Sequence, residues 1–536
     1  MPVYKLNVKW QKERYKDVEC NTDESPENFK AVLFSLTGVP PNRQKVMMPG
    51  KILGNTDYEG IKLKDGLTVM LIGTAEDLPK TEKMDISLEE TVQAETKKVR
   101  VPYGLINLGN TCYMNAAVQM LYSVPELHAA LELGAPHSSP SMDSRKGLCM
   151  YLKLLFLSLD KADKPVIPAT FVACLRQVCP QFATRLPSDT EKDNQAGGLL
   201  SIIGGRFAQQ DANECWTELM RAIQELMIEP AVIKEMPDIL KNLSSNAPWN
   251  PIDRFFTGHL ISKLVCTEAT EEPPTETSET FTQLSCFINQ DVKFLHTGIR
   301  NGFEGTVTKH SEHLQRDAVF KKTSVLTRLP AYLSIHFVRF FYKEDKHLNA
   351  KILKDVKFPL DLDLFEFCSD ELQKKLLPVR SKMREVEDRE IQKLPKKDKN
   401  ARSSKVEIEY PDPVKHPELY EPFSLADDFG SNNSGYYDLQ GVISHQGRTS
   451  SSGHYVAWVK VEGNWMKFDD DVVTQVTSED ILKLSGGGDW HCAYVLLYGP
   501  RRLLKLPPEN TQETTSNAEA TTTEAAKPLK GDHGVS

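Results

Sequence analysis

The sequence has no C-x-x-C pair, although it contains 10 cysteines among its 536 residues. Secreted disulfide scaffolds are far denser in cysteine, and structural zinc sites normally use closely spaced ligand pairs. We therefore expect reduced thiols, no metal and no other cofactor. Most of the cysteines are expected to be buried as small apolar side chains.

A long hydrophobic run is also missing. No apolar stretch reaches the roughly 18 residues that suggest a membrane span. The first ten residues alternate polar and apolar side chains and have no apolar stretch typical of a signal peptide. We expect no integral membrane segment and a location in the cytoplasm, with the nucleus as a second compartment.

An excess of positive charge is absent as well, since 65 Lys and Arg stand against 74 Asp and Glu, for a net charge of −9. A nucleic-acid-binding protein normally has a basic face, so the composition argues against such a partner. The length exceeds that of one typical domain, and a hydrophobic fraction of 40% is that of a globular protein with a substantial core.

Three segments contain no aromatic residue and are rich in charged or small polar side chains. Such segments bury too little apolar surface to fold alone. Residues 75–100 are expected to form a flexible linker, transiently helical at 87–95. Residues 371–409 are expected to be an insertion, part exposed helix and part disorder. Residues 500–536 are expected to be a disordered tail.

Residues 1–74 have the pattern of a small ββαββ unit. An alternating strand covers residues 4–10, and Ser25-Pro26 begins a helix. Further strands are expected at 44–48 and 68–72. The helix is expected to bury one stripe of apolar side chains: Phe29, Val32, Leu33 and Leu36.

The segment from Gly38 to Leu53 resembles ubiquitin at the helix exit and central strand. The resemblance implies a β-grasp domain. Because the last strand runs into Gly73-Thr-Ala-Glu-Asp77 with no Gly-Gly, we expect it to be neither processed nor conjugated. Two uses remain open, a spacer and a docking module for a ubiquitin receptor, and docking is favoured.

Cys112 stands at a predicted helix start. Gly109-Asn110-Thr111 is typical of a turn and N-cap, and the residues that follow favour a helix that Pro125 ends. In a first helical turn, the helix dipole and free backbone N–H groups favour the thiolate and stabilise an oxyanion. By position alone, a catalytic and a buried structural cysteine are equally supported.

A cysteine nucleophile needs a base and a group that orients the base. Residues 441–459 are expected to form two strands joined by a Gly/Ser-rich loop, with His454 opening the second. Residues 465–473 would pair with that strand and bring Asp469 to the far nitrogen of His454. A core histidine and a plain acidic turn at 469–471 are the alternatives.

Four blocks together resemble the ubiquitin-specific protease family of deubiquitinating cysteine proteases. They occur in that family's order, at residues 107–115, 209–214, 453–456 and 467–471. The resemblance covers about 101–499, apart from the insertion. With the ubiquitin-like module, it is closest to the proteasome-associated branch. It implies an α+β fold: a papain-like protease domain of thumb, palm and fingers, preceded by the β-grasp domain.

The resemblance implies a thiol-dependent ubiquitinyl hydrolase, with roles for individual residues. Cys112 would be the nucleophile, His454 the general base, Asp469 the orienting carboxylate and Asn107 the oxyanion donor. Asp470 is the alternative to Asp469, because strand register decides which carboxylate faces the imidazole. The implied partners are ubiquitin, ubiquitinated proteins and, through the ubiquitin-like domain, the proteasome regulatory particle.

Binding and gating residues follow from the same resemblance. Asp211 and Glu214 would bind the arginine-containing tail of ubiquitin, the alternative being a solvated helix start. His445 and Tyr455 would be further ubiquitin contacts. The residues expected in gating loops are Ser450, Ser451, Ser452 and Gly487, and the stretch 339–351 would form another such loop. We expect low intrinsic activity that the proteasome and ubiquitin relieve.

The finger region departs from the family pattern. Many members carry two C-x-x-C pairs for zinc there, whereas this chain has single cysteines, Cys266 and Cys286. We therefore expect no zinc. The finger strands, at about 255–266, 280–294 and 323–341, would be held by packing and hydrogen bonds.

Overall fold

The computed structural model describes residues 3–72, 101–186, 207–229, 248–393 and 413–505, apart from short gaps within these ranges. The chain divides into two compact units, and the boundary lies between Val99 and Arg100. The expected linker, with its helix at 87–95, lies outside the described residues. None of the helices in the described ranges is both long enough and apolar enough to cross a membrane.

The N-terminal unit is a five-stranded sheet with one helix, so it has one strand more than the ββαββ pattern predicts. Its strands lie in the order β2-β1-β5-β3-β4, with β1 parallel to β5. The elements are β1 Val3–Trp10, β2 Glu13–Asn21, α1 Pro26–Thr37, β3 Lys45–Met48, β4 Lys51–Ile52 and β5 Thr68–Ile72. This is the β-grasp arrangement expected of a ubiquitin-like domain.

The prediction of a four-residue core stripe on α1 is half wrong. Phe29 and Leu33 are buried, but Val32 and Leu36 are each 41% exposed. A helix on one face of a sheet buries the narrow strip that points at the strands, and these two residues lie beside that strip. The helix therefore presents two apolar side chains to solvent.

The outer face of the same sheet is also apolar. Met47 lies opposite Ile52 on one side and Met70 on the other, and Ile72 follows two residues after Met70 on the same face. These four side chains are between 44% and 53% exposed. Because side chains alternate along a strand, Val46, Val69 and Leu71 point the other way and are buried.

The second unit begins with a helical region. Its helices are α2 Cys112–Tyr122, α3 Pro125–Gly134, α4 Arg145–Asp160, α5 Ala169–Val178, α6 Ala212–Gln224 and α7 Pro251–Phe255. In α6 the predicted core stripe is confirmed, since Ala212, Cys215, Trp216, Leu219 and Ile223 are all buried. Helix α2 packs against α6 on one side and against the large sheet on the other.

Two sheets form the rest of the unit. The large sheet has the order β18-β17-β16-β15-β19-β11-β8, with β14 pairing to β15. Its strands are β8 Gln283–Phe287, β11 Leu333–Val338, β14 Asp361–Asp363, β15 Tyr436–Thr449, β16 Ser452–Val461, β17 Asn464–Asp469, β18 Val472–Val476 and β19 Cys492–Pro500. The strand β19 is buried at every residue.

A separate four-stranded sheet has the order β7-β6-β10-β9 and contains only part of the predicted finger strands. The predictions at 280–294 and 323–341 are wrong in part, because β8 and β11, which lie within them, belong to the large sheet. The strands of the four-stranded sheet are β6 Gly258–Cys266, β7 Thr275–Phe281, β9 Glu304–Ser311 and β10 Arg316–Arg328, and helix α8 Leu295–Phe303 precedes β9. Residue 255 is helical rather than part of a finger strand. Cys266 lies in this sheet and Cys286 in the large one, so the two thiols are not neighbours.

The insertion contains a helix, α9 Asp370–Lys393, that the charged composition predicts as exposed. That prediction is wrong for one face, because Leu372, Leu376 and Met383 are buried. Arg380 is buried too, and its guanidinium donates two hydrogen bonds to the carboxylate of Asp363 at 2.8 and 2.9 Å. Residues 394–409 lie outside the described part of the chain.

The first residues of the expected tail are part of the fold, so the prediction of disorder is wrong for residues 500–505. Arg501 donates to Asp438 at 2.9 Å, and Arg502 donates to the fully buried carboxylate of Glu126 at 2.7 Å. The two carboxylates are far away in sequence, so local composition gives no sign of these pairs. Residues 506–536 are outside the described part.

Candidate active site

Cys112 is the first residue of α2, as the turn signals predict, and its side chain is buried. The preceding turn uses two residues with left-handed backbone, Gly109 with φ of 90° and Asn110 with φ of 54°. The side-chain oxygen of Asn107 accepts hydrogen bonds from the backbone N–H of Gly109 and of Thr111 at 2.9 and 3.1 Å. The thiol thus stands at the end of a tightly hydrogen-bonded turn.

His454 lies on β16, the strand against which α2 packs, and this packing brings the imidazole to the thiol. The Cys112 thiol is close enough to the imidazole to raise the pKa of His454. Its Nε2 is 2.6 Å from Oδ1 of Asp469, the last residue of β17. Because Nε2 is occupied by the carboxylate, Nδ1 is the nitrogen available to the thiol. The three side chains form a continuous Cys–His–Asp relay.

The surroundings favour the protonated imidazole. The hydrogen bond with Cys112, followed by that with Asp469, raises the pKa of His454 to about 9 against the opposing effect of burial. Burial also acts to raise the pKa of Asp469, but hydrogen bonds from Lys467 and His454 outweigh it and hold that pKa below its usual value. An imidazolium next to an ionised carboxylate is the arrangement that supports a thiolate nucleophile.

Asp470 has a separate set of partners. Its two carboxylate oxygens accept hydrogen bonds from the side-chain amides of Asn107 and Asn115, each at 2.8 Å, and its backbone oxygen accepts from Leu105 N–H at 2.9 Å. Register therefore turns Asp469, not Asp470, toward the imidazole. Gly104 passes so close to this turn that an added Cβ would lie 2.1 Å from the Asp470 oxygen. Asp470 joins the turn before Cys112 to the strands that carry His454.

Asp211 and Glu214 lie at the start of α6, where the sequence places them. Asp211 is the N-cap: Oδ1 accepts from the backbone N–H groups of Asn213 and Glu214, and Oδ2 accepts from the Tyr494 hydroxyl at 2.6 Å. Burial raises the pKa of Asp211, and the bond from Tyr494 opposes that effect. Glu214 is exposed. Contact of either residue with ubiquitin stays a prediction.

His445 and Tyr455, expected as ubiquitin contacts, are buried in this structure. The Lys351 ammonium lies 3.0 Å from Nδ1 of His445 and 2.5 Å from its backbone oxygen. Burial and then the charge of Lys351 lower the pKa of His445 to about 3. In this conformation neither side chain is available to a partner at the surface, so contact with ubiquitin would require the covering segments to move.

The stretch 339–351 forms the hairpin of β12 Phe340–Lys343 and β13 Leu348–Lys351. Arg339 at its base is fully buried, and its guanidinium donates to the backbone oxygens of Ala493, Lys354 and Ser485 at 2.7 to 3.0 Å. This one side chain therefore connects the hairpin, β19 and the turn before the glycine-rich loop.

The residues expected in gating loops are only partly described. Ser452 begins β16 and is exposed, and Gly487 is exposed with φ of 93°. Ser450 and Ser451 lie outside the described residues. Gating by these loops stays a prediction.

Within the described ranges, one group of acidic and histidine side chains is close enough to hold a metal ion: His454, Asp469 and Asp470. Its oxygens already accept hydrogen bonds from Lys467, Asn107 and Asn115. These donors would compete with a cation, so the donor set fits a hydrogen-bonded catalytic centre better than a metal site.

Several residues of the site were not assigned a function from the sequence. Asn115 and Tyr494 are joined to their partners over long sequence distances, so no local pattern marks them. Lys467 differs, because it stands two residues before Asp469 in a strand. Residues i and i+2 share a face of a strand, so this contact was predictable from the spacing.

Comparison with known proteins agrees with this geometry. A family model described as ubiquitin carboxyl-terminal hydrolase matches residues 103–498. The chain belongs to the ubiquitin carboxyl-terminal hydrolase family and is a thiol-dependent hydrolase of ubiquitin conjugates, as the resemblance predicts.

Three similar relatives span nearly the whole chain. Ubiquitin carboxyl-terminal hydrolase 14 of Caenorhabditis elegans is 39% identical over 95% of this chain and 95% of its own length. Ubiquitin carboxyl-terminal hydrolase 7 of Arabidopsis thaliana is 37% identical over 92% of this chain and 98% of its own. Ubiquitin carboxyl-terminal hydrolase 6 of Schizosaccharomyces pombe is 38% identical over the same shares. The similarity thus includes the N-terminal unit as well as the catalytic one.

Proposed function

We propose that this chain releases ubiquitin from conjugates at the proteasome, before their degradation, by cleaving the bond after the C-terminal glycine of ubiquitin. Cys112 is the nucleophile, His454 the acid–base group and Asp469 the carboxylate that orients it. The observation that supports this assignment is the relay from the Cys112 thiol through His454 to Asp469, with 2.6 Å between imidazole and carboxylate.

The first chemical step forms a thioester. His454 takes the proton of the Cys112 thiol, and the sulfur attacks the carbonyl carbon of the terminal glycine. The resulting oxyanion is stabilised by backbone N–H groups at the start of α2. The intermediate then collapses, the bond to the lysine nitrogen breaks, and the imidazolium of His454 gives its proton to the leaving amine.

The second step hydrolyses the thioester. Water enters where the amine left, and neutral His454 takes one of its protons as the oxygen attacks the carbonyl carbon. The bond to sulfur breaks, His454 returns the proton to the thiolate, and ubiquitin leaves with a free carboxyl group, which loses its remaining proton to solvent. No other reactant is needed.

Asn107 fits an oxyanion-donor role in this scheme. Its amide nitrogen carries two hydrogens, of which one is donated to Asp470 at 2.8 Å. Its oxygen is fixed by two backbone N–H groups of the turn before Cys112. The second hydrogen of a side chain held in this way is available to an oxyanion next to the thiol.

The proposed docking of the N-terminal unit is supported by its apolar outer face: Met47, Ile52, Met70 and Ile72. Proposed activation by the proteasome is supported by the burial of His445 and Tyr455 next to the β12–β13 hairpin, because a ubiquitin tail that contacts them must first displace their cover. The cytoplasm, with the nucleus as a second compartment, is the proposed location.

The test is the intact mass of the full chain after incubation with ubiquitin that carries a C-terminal electrophile, with and without purified proteasome. We expect addition of one ubiquitin, its loss in Cys112→Ala, and faster addition with proteasome. An adduct formed at equal rates with and without proteasome would contradict gating. No adduct in either case would contradict the assigned nucleophile and favour a ubiquitin receptor.

A further inference from the structure

The carboxylate of Asp469 is held from two sides. Oδ1 lies 2.6 Å from Nε2 of His454, and Oδ2 accepts a hydrogen bond from the Lys467 ammonium at 2.8 Å. A carboxylate bound through one oxygen can turn about its χ2 bond, which has a broad rotational minimum. Bonds to both oxygens fix the plane of the carboxylate and thus the direction from which it meets the imidazole.

The ammonium itself has a defined place. Lys467 is directly opposite Trp458 on the neighbouring strand β16, and its Nζ lies 5.6 Å from the centre of the indole ring. Trp458 is buried, and its indole N–H donates to Ser444 Oγ at 2.7 Å. The aromatic face that attracts the ammonium is therefore fixed by a hydrogen bond within the sheet.

We propose that Lys467 is a positioning residue of the hydrolase reaction, which acts by holding Asp469 in the orientation that His454 needs. The relay is then Cys112–His454–Asp469–Lys467, in which only the first two groups touch the reacting atoms. This inference rests on the catalytic roles proposed above and adds a residue to them.

A plain surface ion pair is the competing description, and such pairs contribute little. Two features separate Lys467 from that case. Its side chain is only 26% exposed, and its partner is a carboxylate that already uses its other oxygen on the imidazole. By contrast, Lys415 and Glu462 form a pair in which both side chains are about half exposed.

The experiment is a double-mutant cycle in the full chain, with a fluorogenic amide of the ubiquitin C-terminus as substrate. The variants are Lys467→Met, Lys467→Gln, Lys467→Arg, Asp469→Asn and the double variant Lys467→Met/Asp469→Asn. Lys460→Met is the matched control, because Lys460 is an exposed lysine on the adjacent strand β16. Thermal midpoints are recorded for every variant, and kcat and KM are measured separately.

We expect Lys467→Met and Lys467→Gln to lower kcat by about tenfold to about a hundredfold, as for a displaced catalytic group. KM should stay within about twofold, because Lys467 acts on the chemical step. Lys467→Arg should restore most of kcat, since a guanidinium also donates to a carboxylate. In the Asp469→Asn background, Lys467→Met should change kcat by less than about twofold.

Two results would overturn the inference. One is wild-type kcat in Lys467→Met and Lys467→Gln. The other is an equal loss with and without the Asp469 carboxylate, which would mean that Lys467 acts on the fold and not through Asp469. If Asp469→Asn itself keeps full activity, the proposed catalytic relay fails instead, so the two failures are distinguishable.

Discussion

The sheet of the N-terminal unit and the large sheet of the catalytic unit differ in how far their faces are exposed. The five-stranded sheet of the N-terminal unit exposes about half of each apolar side chain on its outer face, as at Met47 and Met70. In the large sheet of the catalytic unit, the central strand β19 has no exposed residue. Within the described part of its unit, the first sheet has only the helix α1 beside it, whereas strands of the large sheet pack against α2 and against the β12–β13 hairpin.

The difference separates a surface that we propose binds a partner from a scaffold that positions catalytic side chains. An exposed apolar face contributes little to the stability of its own domain and is typical of an interaction site. A sheet buried on both faces fixes its side chains within a close-packed interior. The hydrogen bonds of the Asp470 carboxylate depend on that rigidity, because they join the turn after β17 to Asn107 and Asn115, more than 350 positions earlier.

The largest expected effect comes from a substitution in the buried interior of the catalytic unit. Arg502→Met should lower the free energy of unfolding by about 3–5 kcal/mol, because it leaves the fully buried Glu126 carboxylate without its cation. Thermal or denaturant unfolding of the full chain measures the change. The matched control is Lys415→Met, which breaks an exposed pair and should cost less than about 1 kcal/mol. Equal changes in both variants would contradict a tightly built catalytic unit.

A smaller effect concerns the pH range of the reaction. The pKa of His454 is raised to about 9, so kcat/KM should fall as pH rises through that value, because the imidazolium that protonates the leaving amine is lost. Asp469→Asn removes a charge that favours the imidazolium and should move this alkaline limb to lower pH. Glu462→Gln, on an exposed loop, is the control and should leave the limb in place.

The raised pKa of His454 also makes the free energy of unfolding depend on pH. The folded protein binds the His454 proton more tightly than the unfolded chain, whose histidines titrate near pH 6.5. Its contribution to stability is therefore complete below about pH 6.5 and is lost as pH rises through about 9. In the activity measurement, an alkaline limb of kcat/KM that does not move in Asp469→Asn would contradict the relay.

Local patterns predict the start of α2 at Cys112, the strand that carries His454 and the hairpin partner that carries Asp469. Turn residues, alternation and helix stops lie within a few positions of the elements they define, which is why these predictions are confirmed. The ββαββ succession of the first unit follows from the same kind of signal, whereas its β-grasp fold was implied by the resemblance to ubiquitin. The wider assembly, with α2 packed on β16, came from resemblance to a family.

The features that were not predicted from the sequence depend on contacts between distant segments of the chain. Arg502 looks like the start of a charged tail, yet its partner Glu126 is 376 residues earlier. The choice between Asp469 and Asp470 depends on where β17 ends, because Asp469 is its last residue and Asp470 is in the turn, with φ of 54°. Val32 and Leu36 fit the apolar period of α1, but one sheet face is too narrow to cover them.

The smallest effect on the protein itself should come from its exposed sheet face. Met47→Ser together with Met70→Ser should change the free energy of unfolding by no more than about 0.5 kcal/mol per site, as is usual for surface positions. The same variant should weaken co-sedimentation with purified proteasome, because it removes the centre of the apolar patch. Val32→Ser together with Leu36→Ser removes two apolar side chains from the helix side and is the matched control. Unchanged co-sedimentation of the sheet variant would contradict docking through this face, and loss only in the control would move the docking surface to α1.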